Sequence, residues 1–296
     1  MFAIAVVGAI VFASAVLSFF RPAVALGLLM CTFALEQWAQ SQGTFFIQHA
    51  TLINYLTAST VLVGLVGKVL QSEGMIRPVT PSWLFTIALF GFAGLTVLWS
   101  YSPQISREGF VHQSPYIAVY VLLAPLLVST PASARTALVT LLSIGTLVIL
   151  LIFTTSEFRG RQIVFTDALY WQGRRREAGN PLAIATLGGY LAIIGVLMNF
   201  PRATNFWKYA RWGAVVSGVI AVLLSESRGQ FFAMVIAIIA LLPISRQIRN
   251  WRGFLATAIG LLIFAGVTFV AFDALAAGSQ RWSRDTMFDV FQSTRV

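Results

Sequence analysis

Between an apolar run that ends at Leu224 and another that begins at Phe231, the segment Ser225-Glu226-Ser227-Arg228-Gly229-Gln230 places an acid and a base two residues apart. Ser227, followed three residues later by Gln230, has the form of an S-x-x-Q capping box, so a helix is expected to start here. The unpaired N–H groups of a helix start carry partial positive charge. Arg228 adds a full positive charge at the same end, which is intrinsically unfavourable. An anion such as a phosphate, joining both, makes the arrangement favourable. Glu226 would hold Arg228 when that site is empty. The plain alternative is an interfacial arginine that snorkels and pairs with Glu226.

The same form occurs upstream. Asn180 is a good N-cap and Pro181 a good first helical residue, and Arg174, Arg175 and Arg176 precede them. If both helices start on one face, two N-termini and up to four arginines converge there, which suits a pyrophosphate. Arg159 and Arg161 lie further upstream, interleaved with Phe158, Phe165, Tyr170 and Trp171. Residues 156–179 therefore read as an arginine-rich loop. It reads as an amphipathic segment lying among lipid headgroups and as a surface along which a lipid-linked or sugar substrate slides, two readings that are compatible. No metal and no cofactor is expected, because His49 and His112 are the only histidines and the chain has no HExxH, CxxC or Walker loop. The single cysteine, Cys31, lies in an apolar run and reads as a small buried hydrophobe.

The elements that must position these residues follow from composition. The chain is 58% hydrophobic and 10% charged, against roughly 25% charged in a soluble domain. That deficit predicts an all-α, polytopic integral membrane protein. Ten apolar runs are expected to form transmembrane helices: Phe2–Phe19, Ala23–Leu35, Leu52–Leu70, Trp83–Trp99, Ile117–Val128, Ala137–Phe153, Leu182–Phe200, Trp212–Leu224, Phe231–Ile244 and Phe254–Phe272. Several are shorter than the ~20 residues that cross a bilayer core. The first run lacks the basic n-region of a signal peptide, since the first cation, Arg21, follows it. It reads as a retained helix. Residues 1–296 are expected to form one membrane domain. The net charge of +10 points to anionic lipid or an anionic ligand, and no nucleic-acid-binding motif accompanies it.

Orientation follows from Lys and Arg in short loops. Arg202, Lys208 and Arg211 follow the seventh run; Arg246, Arg249 and Arg252 follow the ninth; neither group contains an acid. Both read as cytoplasmic. Parity adds Arg21, Lys68, Arg77 and Arg135 to the inside. It places residues 156–179, the Glu226–Arg228 turn and the C-terminal tail outside. The Lys and Arg tally is ten on each side, because the loop after the sixth run is itself rich in arginine. One long helix from Trp212 to Ile244 would bury Glu226 and Arg228 near its middle at a cost, and would put two acid-free basic loops on opposite sides. A hairpin is the better reading.

At this point four segments, in order along the chain, resemble one family. "LLSESRGQFFAMVIAIIALL" is similar to the TxSRG-type hairpin of the O-antigen ligase and O-antigen polymerase superfamily. "RRREAGNPLAIA" resembles its R-x-x-G-x-x-N-P segment with a shortened spacing. "TVLWSYSPQISREGF" resembles its lWS-x-x-P segment, and "RWSRDTMFDVFQSTRV", within 276–296, resembles the start of its large periplasmic loop. The resemblance implies a bacterial inner-membrane protein. It also implies that outward-facing arginines bind the diphosphate of an undecaprenyl-linked glycan, which is transferred to a saccharide or lipid-linked acceptor without metal or nucleotide sugar. Carried over by motif, Arg228 is the best match, with Arg175 or Arg176 next. Arg174, Arg161, Ser227 and Asn180 line the substrate side of the same expectation. Ligases of the family continue into a loop that supplies a catalytic histidine, and neither His49 nor His112 lies in that region. The resemblance thus leaves two readings: the chain is a fragment, or the acceptor base differs.

Glycan transfer from a polyprenyl diphosphate needs a stabilised leaving diphosphate and an activated acceptor hydroxyl. Arginines and helix dipoles supply the first. For the second, Glu226, Asp167, Glu177 and His112 all face outward by parity, and no spacing singles one out. The rivals are a transporter or flippase of anionic lipid-linked sugars, and an assembly protein whose arginines bind phospholipid. Carriers commonly bury ionisable groups at mid-membrane, whereas the charges here fall at the ends of the apolar runs.

Overall fold

The computed structural model describes residues 1–49, 51–71, 81–156, 158–159, 162–163, 170–171, 174–175, 181–198, 205–225, 227–246 and 251–275. In order, α1 is Phe2–Phe20, α2 Ala23–Ser41, α3 Thr44–Gln48, α4 Leu52–Leu70, α5 Pro81–Thr96, α6 Pro103–Ile117, α7 Pro131–Thr155, α8 Pro181–Leu197, α9 Asn205–Leu224, α10 Arg228–Arg246 and α11 Trp251–Leu275. The fold is helical, as composition requires, with two antiparallel ladders of two residues per strand inside the arginine-rich segment: β1 Phe158–Arg159 with β2 Gln162–Ile163, and β3 Tyr170–Trp171 with β4 Arg174–Arg175. Each of the ten expected apolar runs overlaps helical structure among the described residues. Among the described residues, four helical stretches are long and apolar enough to cross a membrane: Phe2–Phe20, Leu52–Leu70, Pro103–Leu127 and Pro131–Thr155. Their outer faces carry exposed apolar side chains such as Phe12, Leu62, Val66, Ile105 and Leu147, which hydrocarbon would cover and water would not tolerate in such number.

Several boundaries differ from expectation. The stretch before Ile117, expected as a loop, is helix from Pro103. Ser102 is its N-cap and Pro103 its first residue, and the Ser100 and Ser106 hydroxyls are hydrogen-bonded at 2.6 Å. Pro115 inside α6 removes one ladder donor, and the chain answers with a π-helical turn over Ala118–Leu123 and a 3-10 turn over Ala124–Leu127. The second run extends to Ser41 because its polar end finds partners. The Trp38 indole N–H donates to Thr155 Oγ1 at 2.8 Å, the Ser41 and Ser156 hydroxyls are 2.9 Å apart, and Gln42 Nε2 donates to the Thr155 carbonyl.

Two compact units emerge, with α2 and α7 each divided between them. The first comprises residues 1–36 and 48–144. In it α1 packs along α4 through small and hydroxylated residues: Ser14, Ser18, Thr57, Thr60 and Gly67 are buried. The hydroxyls turn back onto their own helices, Ser18 to the Ser14 carbonyl and Thr57 to that of Ile53, so no donor is stranded in the interface. A methyl group on Gly67 would sit 2.2 Å from the Phe19 carbonyl oxygen, so only glycine permits this approach. Cys31 is fully buried, as a small hydrophobe should be, with its thiol directed at the Gly27 and Leu141 carbonyls.

Lys68, expected on the inner side at the end of the Leu52–Leu70 run, is drawn into the packing. It lies in the last turn of α4, is 1% exposed, and its ammonium donates to the Leu126 carbonyl at 2.5 Å. A cation at a helix C-terminus, bonded to the carbonyl of an adjoining 3-10 turn, meets favourable dipoles there. Nearby, Gln71 Nε2 donates to the Phe19 carbonyl at 2.6 Å. One end of this unit thus gathers the ends of α1 and α4 and the turn that leads into α7.

The second unit comprises residues 37–47 and 145–296. Its centre is α8, α9 and α10, where Ala192, Val222, Phe231, Met234, Val235 and Ile238 form one buried cluster. Lys208 and Arg211, expected in a loop, lie on α9. Arg211 donates to the Met198 carbonyl at 3.1 Å and lies over the Trp212 ring at 5.3 Å, closing the end of α8 with a cation.

Candidate functional site

The antiparallel register of α8 and α9 decides where the two predicted helix starts lie. Gly188 and Gly218 face one another so closely that a methyl on either would stand 2.5 Å from the other's carbonyl oxygen. Further along, Gly195 lies against Val215 and the Arg211 carbonyl. Seven residues, about two helical turns, separate Pro181 from Gly188, and seven separate Gly218 from Ser225. Pro181 therefore lies at the level of the turn that ends α9 and begins α10. Since α10 follows that turn back along α8 and packs on Ala192 and Val222, α8 and α10 start at the same end of this three-helix layer.

Pro181 is the first residue of α8 and Arg228 the first residue of α10, as the capping arguments require. The turn between α9 and α10 is built differently from a capping box. The Ser227 carbonyl accepts the first helical bond, from the Phe231 N–H at 3.1 Å. The Ser227 N–H donates to Ser225 Oγ at 3.3 Å, so Ser225 holds the donor that a capping box would assign to Gln230. Ser225 is itself buried and its hydroxyl donates to the Val222 carbonyl at 2.7 Å, which ties the turn to the end of α9. Arg228 enters a helix whose first turn contains no acid.

Arg174 and Arg175 form β4, with Arg174 opposite Trp171 and Arg175 opposite Tyr170. A hairpin, rather than a featureless loop, brings these two arginines beside two of the aromatic residues noted in the sequence. Arg159 pairs with Gln162 in the other ladder. Arg161, Asp167, Arg176, Glu177, Asn180 and Glu226 lie outside the described residues. His112 belongs to α6, in the other compact unit from Arg228.

One polar group escaped the sequence reading. Glu36, near the end of α2, accepts a hydrogen bond from Asn54 Nδ2 at 3.2 Å, while the buried Asn54 Oδ1 has no partner among the described residues. Phe33 stacks on Tyr120 at 5.8 Å close by in the fold. The available signal was an acid directly after an apolar run, in "FALEQW". Its partner, eighteen residues on, gave no signal.

Chemically, the end of the α8–α10 layer offers two helix starts and arginine-bearing backbone leading toward one of them. Such an arrangement attracts anions and stabilises developing negative charge. Comparison with protein-family models, with characterised proteins and with solved structures finds no match.

Proposed function

We propose that the protein transfers a glycan from a polyprenyl-diphosphate donor to a saccharide acceptor at the outer face of a bacterial inner membrane, as a polymerase or ligase of the O-antigen ligase and polymerase superfamily. The observation that carries this reading is the shared level of Pro181 and Arg228, enforced by the Gly188–Gly218 contact. It puts two anion-attracting helix starts within one layer, each associated in sequence with arginine. In this reading Arg228, with Arg175 and Arg176, neutralises the departing diphosphate, Arg174 and Arg161 guide it, and Ser227 and Asn180 set the helix starts. Glu226 holds Arg228 between turnovers. All ten runs cross the bilayer, with Arg202 and Arg246 inside.

A transporter of the same lipid-linked sugars is the second reading, and the buried Lys68 is the observation in its favour. Its place in the last turn of α4, bonded to a carbonyl, is that of a structural tether. Cells lacking the protein separate the two. Loss of a transferase removes polymer or ligated glycan while lipid-linked units still reach the outer leaflet. Their retention in the inner leaflet would overturn the transfer reading.

Topology has its own test. Cys31 is buried, so single cysteines can be introduced without removing it. A membrane-impermeant thiol reagent applied from outside is expected to label a cysteine at 226 and to spare one at 202 or 246. Labelling at 202 with protection at 226 would invert the orientation.

A further inference from the structure

A cavity of about 360 Å³ opens in the first compact unit, where the α1–α2 turn meets the start of α7. Arg21, Ser129, Thr130, Ser133 and Thr136 supply its polar wall, and Phe20 and Leu127 belong to its apolar wall. No acid lines it. The Arg21 backbone is fully engaged, its N–H to Leu17 and its carbonyl to Val24, yet its guanidinium has no partner among the described residues. The α7 start is not what seeks a ligand. Thr130 and Ser133 cap each other, the Ser133 N–H donating to Thr130 Oγ1 at 3.1 Å and the Thr130 N–H to Ser133 Oγ at 2.9 Å. What remains open to a ligand is one exposed guanidinium, a planar fork suited to phosphate oxygens, beside hydroxyls and an apolar flank.

We propose that this cavity binds a phosphate ester, the headgroup of an anionic phospholipid, with Arg21 on the phosphate and the Phe20 side toward the acyl chains. The site is separate from the proposed transfer site and stands whether or not that reading holds. Its chemistry is the +10 net charge made local: a lipid clasp that fixes the junction of α1, α2, α4 and α7.

The full-length protein in nanodiscs tests it by thermal unfolding. Replacing part of the phosphatidylcholine with phosphatidylglycerol should raise the unfolding temperature, because a ligand bound only to the folded state stabilises it. Arg21→Gln should lose at least half of that rise. Thr136→Phe, which fills the cavity and leaves Arg21 in place, should lose a comparable share. Arg135→Gln, exposed on α7 but not lining the cavity, should keep most of it. Inorganic phosphate added to pure phosphatidylcholine discs distinguishes the source. No effect assigns the site to lipid, whereas a rise that Arg21→Gln abolishes supports the site and assigns it to soluble phosphate. Equal losses in Arg21→Gln and Arg135→Gln, or no difference between the two lipid compositions, would overturn the proposal.

Discussion

Gly188→Ala is expected to destabilise the protein sharply, while Gly189→Ala, one residue on, is expected to leave it as stable or slightly more so. Both glycines are buried on α8. A methyl at 188 would meet the Gly218 carbonyl oxygen at 2.5 Å, the Ala221 Cβ at 3.0 Å and Val222 Cγ2 at 3.2 Å. The first of these is backbone, which cannot rotate away, so α8 and α9 must separate. Overpacking a tight interface costs about 1–3 kcal/mol and more where backbone is hit. A methyl at 189 meets nothing within 4 Å, and alanine is favoured over glycine in a helix by about 1 kcal/mol. Gly218→Ala should behave like Gly188→Ala, because the contact is reciprocal. Gly195→Ala should be milder, since its nearest obstacle is the movable Val215 side chain. Thermal unfolding of the detergent-solubilised protein reads the series. Equal melting temperatures for the 188 and 189 variants would show that the register argued for α8 and α9 is wrong, and with it the shared level of the two helix starts.

That register was only half legible in the sequence. The apolar runs declared the helices, and Asn180-Pro181 and Ser227-Arg228 declared two of their starts, because hydropathy and capping act within a few residues of chain. Which glycines meet across a helix pair depends on residues thirty positions apart, as Gly188 and Gly218 are, and no local pattern carries it. The same limit explains α6. The helix, with Ser106, Arg107, Glu108 and Gln113, is too polar to read as a span, and its helical state rests on Ser102 and Pro103 at its start and on Phe110, which stacks on Phe90 of α5 at 4.9 Å. Lys68 shows the limit from the other side. Counting charges puts Lys68 on the inner side at the end of its run, but gives no sign of the carbonyl 58 residues away that holds the ammonium in the interior. The Ser225 bond to the Ser227 N–H was within reach, being local, and was hidden by the stronger S-x-x-Q pattern beside it.

For the chemistry, the largest expected loss is that of Arg228. Arg228→Lys keeps the charge at the start of α10 but replaces a planar, bidentate fork with a single ammonium. As the first residue of α10, Arg228 can be exchanged without removing an intrahelical N–H bond, and lysine has a similar helix propensity. The variant should therefore fold, insert and elute as the parent does. Glycan transfer by the full-length protein is expected to fall by about 10²-fold or more, the scale on which a single preorganised donor stabilises developing charge. Arg228→Ala should fall at least as far. The proposed partnership with the preceding arginines sharpens the test. If Arg175 or Arg176 meets the same diphosphate, binding losses on their replacement by alanine will not add to that of Arg228→Ala, because groups sharing one ligand are coupled. Additive losses would describe independent surface charges attracting lipid, as would equal weakening by Arg159→Ala in the other ladder. Full transfer activity in both Arg228 variants would remove Arg228 from the site altogether. The capped start of α10 would then be a structural turn, held by Ser225 and needing no anion to complete it.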